Sequence, residues 1–174
     1  NTRTSKRMID YKVKAGRPEY LEPAEENKLI EILVNIIRES HLKILALNIC
    51  ADHLHFVLVC SPRQLTGIVG KMKSVSAREF NIWRGITVPL TQGETPETMG
   101  HAPLSSEQRR GNTQNSLWAQ KFNRKEIESE KQLHNVLEYI NNNRIKHNLP
   151  MLDEESQKRI QSIITSYEDA FQQA

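Results

Sequence analysis

Residues 42–60 constrain the fold more than any other stretch. Two runs rich in Ile, Leu, Val and Phe, 42–50 and 53–60, flank the dipeptide Ala51-Asp52. Strand-forming runs on either side of a two-residue connection read as a hairpin, in which Cys50 faces His53 and Asn48 faces His55. Successive side chains of a strand point to opposite sides. Leu54, Phe56, Leu58 and Cys60 then share one side, joined by Leu45, Leu47 and Ile49 of the first strand. That side is uniformly apolar and must be covered; the other carries His53, His55, Val57 and Val59.

The flanking segments supply helices. Pro23 suits a first helical turn, Glu25 and Glu26 suit its positive end, and Leu29, Leu33, Ile36 and Ile37 recur at helical spacing, so 23–40 is predicted helical. Ser61-Pro62 opens a second helix to about Trp83, with Leu65, Ile68, Val69, Met72 and Val75 as its stripe. A third spans 129–147, capped by Ser129, striped by Leu133, Val136, Leu137 and Ile140, and followed by Pro150. A last amphipathic helix is expected at 153–172, with Ile160, Ile163, Ile164, Tyr167 and Phe171 inward. Residues 84–116 are rich in Gly, Pro, Ser, Thr, Gln and Asn without periodicity and read as a polar insertion. A short strand is expected at 117–122 and further strand material within 8–20. Insertion aside, this order predicts an α+β, ferredoxin-like (split βαβ) antiparallel sheet with two helices on one face. The 174 residues are expected to form one domain.

Composition narrows the function classes. No apolar run approaches the roughly 18 residues of a membrane span, and no secretory leader is visible. Two cysteines exclude a disulfide scaffold and suit a reducing cytosol, so a cytoplasmic location is expected. The absence of a Gly-rich phosphate loop argues against a nucleotide cofactor. The net charge of +3 is unevenly spread. Residues 1–17 hold six basic and one acidic side chain, and 62–125 hold ten and four. These segments are either solvated faces or contacts for a phosphate-rich partner.

His53 and His55, at i and i+2 of a strand, lie on one face roughly 6–7 Å apart. They read either as partly exposed polar residues or as ligands of one divalent ion. Cys50 on the same face would favour zinc, although no fourth ligand is near in sequence. Tyr139 and Asn143, at i and i+4, stack on one helix face. His147 lies two turns beyond Tyr139 and is a secondary candidate as ligand or acid–base group. His41, His101 and His134 read as structural or exposed.

These residues together resemble the single-tyrosine HUH transposases, the insertion-sequence transposases and REP-associated tyrosine transposases. The resemblance rests on Ile49 to Leu58 with its His-Leu-His, on Leu117 to Phe122, and on Leu137-Glu138-Tyr139-Ile140-Asn141-Asn142-Asn143-Arg144. It covers about residues 8–150 without the insertion. Cys50-Ala51-Asp52 stands where the family usually has Met-Pro-Asn, and Arg144 where it often has Pro. The resemblance implies a ferredoxin-like sheet with the tyrosine helix across its histidine face. It implies Tyr139 as nucleophile, His53, His55 and Asn143 as metal ligands, and Mg²⁺ or Mn²⁺ as the ion. The implied activity is cleavage and rejoining of single-stranded DNA through a 5′-phosphotyrosine, with recognition of DNA hairpins and a homodimer as a possible assembly. Phosphate contacts are expected from Lys71 and Arg78 on the second helix, and from Arg109, Arg110, Lys121, Arg124 and Lys125 around Trp118. Trp118 and Phe122 are candidates for stacking on unpaired bases, Trp118 equally for the core. Two alternatives stand beside this reading: a non-catalytic ferredoxin-like nucleic-acid-binding module, and a replication-initiator nuclease of the same HUH chemistry.

Overall fold

The computed structural model describes residues 20–86, 117–119 and 121–171. The elements run α1 (Pro23–Glu39), β1 (Lys43–Cys50), β2 (His53–Val59), α2 (Pro62–Trp83), α3 (Glu130–Lys146), α4 (Glu154–Gln161) and α5 (Tyr167–Phe171). Both α1 and α2 start with Pro in the first turn and a reciprocal capping box, Glu22 with Glu25 and Ser61 with Gln64. Ser129 caps α3 and Asp153 caps α4, each accepting from a backbone N–H three residues on.

β1 and β2 pair antiparallel, with Cys50 opposite His53 and Asn48 opposite His55, as the hairpin reading requires. Ala51 takes a φ of 47° to close the turn, and Asp52 N–H donates to the Cys50 carbonyl at 2.5 Å. One departure alters the faces. The register slips between Ile44 and Ala46, leaving Leu45 as the extra residue of a bulge. Ile44, Leu47 and Ile49 therefore join Leu54, Phe56 and Leu58 in the main core, whereas Leu45 packs with Ala46 and Val57 on the opposite side. The expectation that Leu45 shares the face of Leu47 and Ile49 fails because a bulge reverses parity at one residue.

The main core is the apolar side of the hairpin, covered by α1 and α2 through Leu29, Ile30, Leu33, Ile37, Met72 and Phe80. A smaller cluster on the other side joins Ala46 and Val57 to Ile140 of α3, with Leu133, Val136 and Leu137 beside it. The hairpin is thus sandwiched, with α3 on the histidine side.

The described residues hold a two-stranded antiparallel sheet, an α+β arrangement. Three expectations differ or fall elsewhere. Residues 117–119, 121 and 122 form no strand; Trp118 instead packs against the main core, its indole N–H donating to Ser76 Oγ at 2.9 Å. The strand expected within 8–20 lies outside the described residues but for Tyr20, as does nearly all of the insertion at 84–116. The final helix is interrupted: α4 stops at Gln161, Ile164 bridges to Ile44 in parallel, and Thr165 N–H donates to the Ile44 carbonyl at 2.8 Å before α5 begins. Ile163, Ile164 and Thr165 are all β-branched, and the open edge of β1 offers an extended partner that a continuous helix would forgo. Within this segment Ile163 is buried, whereas Tyr167, expected inward, is 47% exposed.

Phe80 is fully buried in the main core. Phe80→Ala is expected to lower stability by about 3–5 kcal/mol, while Ile145→Ala, at a 62% exposed position, changes it by less than about 0.5 kcal/mol. Chemical denaturation of the two variants measures both.

Candidate active site

Strand parity points His53 and His55 away from the main core and toward α3. Their ring centroids are 4.8 Å apart. The carboxylate of Asp52 holds His53, its Oδ1 lying 2.6 Å from Nδ1. With the proton on Nδ1 donated to that carboxylate, Nε2 is left as an acceptor directed at α3.

On α3 the inward stripe is Ile140, Asn143 and Arg144, at i, i+3 and i+4. Asn143 is fully buried, and its Nδ2 lies 3.5 Å from His53 Nε2. Its Oδ1 has no hydrogen-bond partner, although a buried acceptor without one costs about 1–3 kcal/mol. One turn earlier, Tyr139 is 43% exposed and stands edge-on to His55, ring centroids 5.6 Å apart. His147, the C-cap of α3, packs edge-on to His53 at 5.4 Å. Lys146 Nζ lies 5.0 Å from the centre of the Tyr139 ring. The structure therefore brings His53, His55, Tyr139 and Asn143 into one cluster.

Electrostatics follow from partial burial. The His55 pKa is lowered, first by desolvation and then by the positive potential of His53 and His147. Burial pushes the Cys50 thiol up, opposed by Arg144 and by a hydrogen bond with Asn143. Among the described residues no three Cys, His, Asp or Glu side chains stand as a metal-holding group. The donor set that fits an ion is two imidazoles with the Asn143 amide, whose unpartnered oxygen replaces the nitrogen beside His53 if the amide plane turns over. Imidazole nitrogens suit Zn²⁺ and other borderline ions, whereas an amide oxygen suits Mg²⁺ or Mn²⁺.

The basic residues are more dispersed. Lys71 and Arg78 are exposed on α2, with Lys71 Nζ donating to Ser40 Oγ at 3.1 Å. Lys121, Arg124 and Lys125 are exposed on the irregular segment leading into α3. Arg109 and Arg110 lie outside the described residues.

Glu26 and Arg144 form a group that the residue patterns did not single out. Both are buried, and they pair through two hydrogen bonds of 2.9 Å. Two signals were present: Glu26 precedes Leu29 and Leu33 on the inward stripe of α1, and Arg144 follows Ile140 by one turn on that of α3. An acid and a base on inward stripes of two helices are candidates to meet.

The lowered His55 pKa has a consequence for stability. With the folded value below the unfolded one of about 6.5, the unfolded chain binds the proton more readily. Stability is thus expected to fall as pH drops below about 6.5, and His55→Gln should flatten that slope. Melting temperatures of both proteins across about pH 5–8 measure the effect.

Among the described residues, no helix is long and apolar enough to cross a membrane. Residues 13–84 match the family model described as Transposase IS200 like, a stretch that includes both histidines and ends before Tyr139. No curated protein and no solved structure gives a significant match. The stretch bearing the histidine hairpin is thus similar to the IS200-like transposases.

Proposed function

We propose that this chain is a metal-dependent transposase that cleaves and rejoins single-stranded DNA, with Tyr139 as nucleophile and His53, His55 and Asn143 as ligands of a divalent ion. The observation that carries the reading is the approach of Tyr139 to His55, centroids 5.6 Å apart, on the histidine side of a hairpin from a transposase-family domain. A phenol with a pKa near 10 is a weak nucleophile at neutral pH, and a phosphodiester repels an incoming oxyanion. A divalent ion bound here would supply Lewis-acid polarisation of the scissile phosphate and neutralise its charge.

The chain's own residues do the rest. Asp52 orients His53, and burial of Asn143 fixes its amide against the same imidazole. Tyr139, half exposed, presents its hydroxyl where a strand of DNA can reach it. Its oxygen forms the new bond to phosphorus as the bond to the 3′-oxygen breaks. The phenolic proton leaves to solvent and the departing strand takes up a proton as a 3′-hydroxyl. The tyrosyl ester conserves the energy of the diester, so a second 3′-hydroxyl reverses the step and joins strands without a nucleotide cofactor. DNA hairpins are the proposed recognition element, with Lys71, Arg78, Lys121, Arg124 and Lys125 contacting phosphates alongside Arg109 and Arg110. Assembly as a homodimer and a cytoplasmic setting complete the proposal.

Two outcomes test it. Tyr139→Phe deletes one oxygen from a half-exposed ring, so the protein should fold and bind DNA yet form no covalent adduct with labelled hairpin DNA on a denaturing gel. His53→Ala should also abolish cleavage, by losing the ion, with partial rescue by excess Mn²⁺; Asn143→Ala should lose less. Adduct formation by Tyr139→Phe removes the nucleophile assignment. No adduct even with the unaltered chain, despite DNA binding, would instead favour the non-catalytic binding module.

For binding, affinity should fall steeply with salt, and Lys71→Ala or Arg78→Ala should each weaken it and lower the salt slope by about one. The cut position should not change. Filter binding over a salt series, with cleavage mapping, reads both.

A further inference from the structure

The buried pair between Glu26 and Arg144 makes contacts in several parts of the fold. Arg144 Nη1 and Nη2 each donate to a Glu26 carboxylate oxygen at 2.9 Å. Nη1 also donates to the Ile49 carbonyl at 2.6 Å, and Nε to the Pro150 carbonyl at 2.8 Å. Glu26 Oε1 accepts in addition from the Ala51 N–H at 2.8 Å, and the Ala51 carbonyl accepts from Leu21 N–H at 3.0 Å. Four guanidinium N–H groups and both carboxylate oxygens are thus engaged, with each side chain only 4% exposed.

Each contact falls at an informative place. Ile49 and Ala51 bracket the last residue of β1, and His53 opens β2 two residues after Ala51. Arg144 follows Asn143 directly and lies five residues after Tyr139 on the same helix. The guanidinium is a rigid planar fork, so its donors define direction as well as attraction. A fully buried ion pair adds little net stability over apolar residues of similar volume, because desolvating both charges offsets their attraction. Its distinctive property is therefore geometric. A helix held only by Ile140, Val136 and Leu137 could slide along the hairpin with little change in buried apolar area. The fork prevents that by joining α3 to the turn through backbone atoms. Asn48, whose Nδ2 donates to the Ile140 carbonyl at 2.7 Å, is a second tie on the same face.

We infer that Glu26 and Arg144 are positioning residues, whose buried pair sets where the helix carrying Tyr139 and Asn143 stands against the hairpin carrying His53 and His55. The inference rests on the proposed function for what is positioned, but the geometry itself can be read without metal or DNA.

Arg144→Lys keeps the charge and loses the fork. Three readouts are taken on the full chain: the nuclear Overhauser contact between the His55 and Tyr139 rings in metal-free protein, Mn²⁺ affinity by calorimetry, and cleavage of single-stranded hairpin DNA. The folded variant is expected to lose or weaken the ring contact, and its Mn²⁺ affinity and cleavage rate should fall by roughly 10–100-fold. If Arg144→Lys does not fold, the doubly apolar Glu26→Met with Arg144→Met buries no charge and takes the same readouts with the same expectation. A folded variant that keeps the ring contact, and Mn²⁺ affinity within about twofold, overturns the inference and leaves the pair a purely structural one. Failure of the unaltered chain to bind Mn²⁺ and to cleave DNA would instead sink the proposed function, and the metal-free ring contact would still decide whether the pair positions the helix.

Discussion

Strand alternation in a single hairpin is the constraint on which the rest of the molecule depends. One side of β1 and β2 carries Ile44, Leu47, Ile49, Leu54, Phe56 and Leu58 into the main core. Burying that side fixes the direction of every alternate residue, so the histidines must face the other way. Their chemistry is available only because α1 and α2 have already satisfied the opposite face. The bulge at Leu45 refines this division. It restores Ile44 to the main core at the far end of β1 while leaving Asn48 and Cys50 beside the histidines.

The histidine face is an unusual surface for a helix to cover, since it mixes Val57 and Ala46 with imidazoles and an amide. α3 meets it with a matching mixture: Ile140 on the apolar pair, Asn143 on His53, and Arg144 on the turn. Most polar groups so buried are satisfied, as when Asn48 donates to the Ile140 carbonyl at 2.7 Å. Among the described residues, the amide oxygens of Asn48 and Asn143 are the exceptions. Buried acceptors are seldom left alone in folded proteins, and both of these belong to residues that face the histidines or pair across from them. An ion or phosphate group bound as proposed would satisfy them.

Much of this arrangement was legible in residue order. The hairpin register followed from a two-residue connection, and the helices from caps and stripes, because those signals are local. What escaped was set by tertiary geometry. The break between α4 and α5 depends on the exposed edge of β1, which a helical period over 153–172 does not register. Leu117 to Phe122 looks strand-like, but Trp118 finds the core and Ser76 instead of a strand partner. Within the site, His53, His55, Tyr139 and Asn143 could be grouped from spacing and resemblance. Arg144 stood out only as a departure from a family pattern. Its partner lies 118 residues away, and pairing at that distance leaves no local trace.

Exposure within the site matches the division of tasks proposed for its members. Asn143 is wholly buried and Arg144 nearly so, whereas Tyr139 is 43% exposed at an adjacent turn of the same helix. A residue that orients must be immobile, and burial among fixed partners immobilises it. The proposed nucleophile, Tyr139, must be reachable from solvent to attack a polymer, and cannot be locked in the same way. Placing both on one helix resolves the conflict: the buried stripe of α3 fixes the helix, and the helix carries Tyr139 to a defined place beside His55. The accuracy of the exposed group is then inherited from the buried ones.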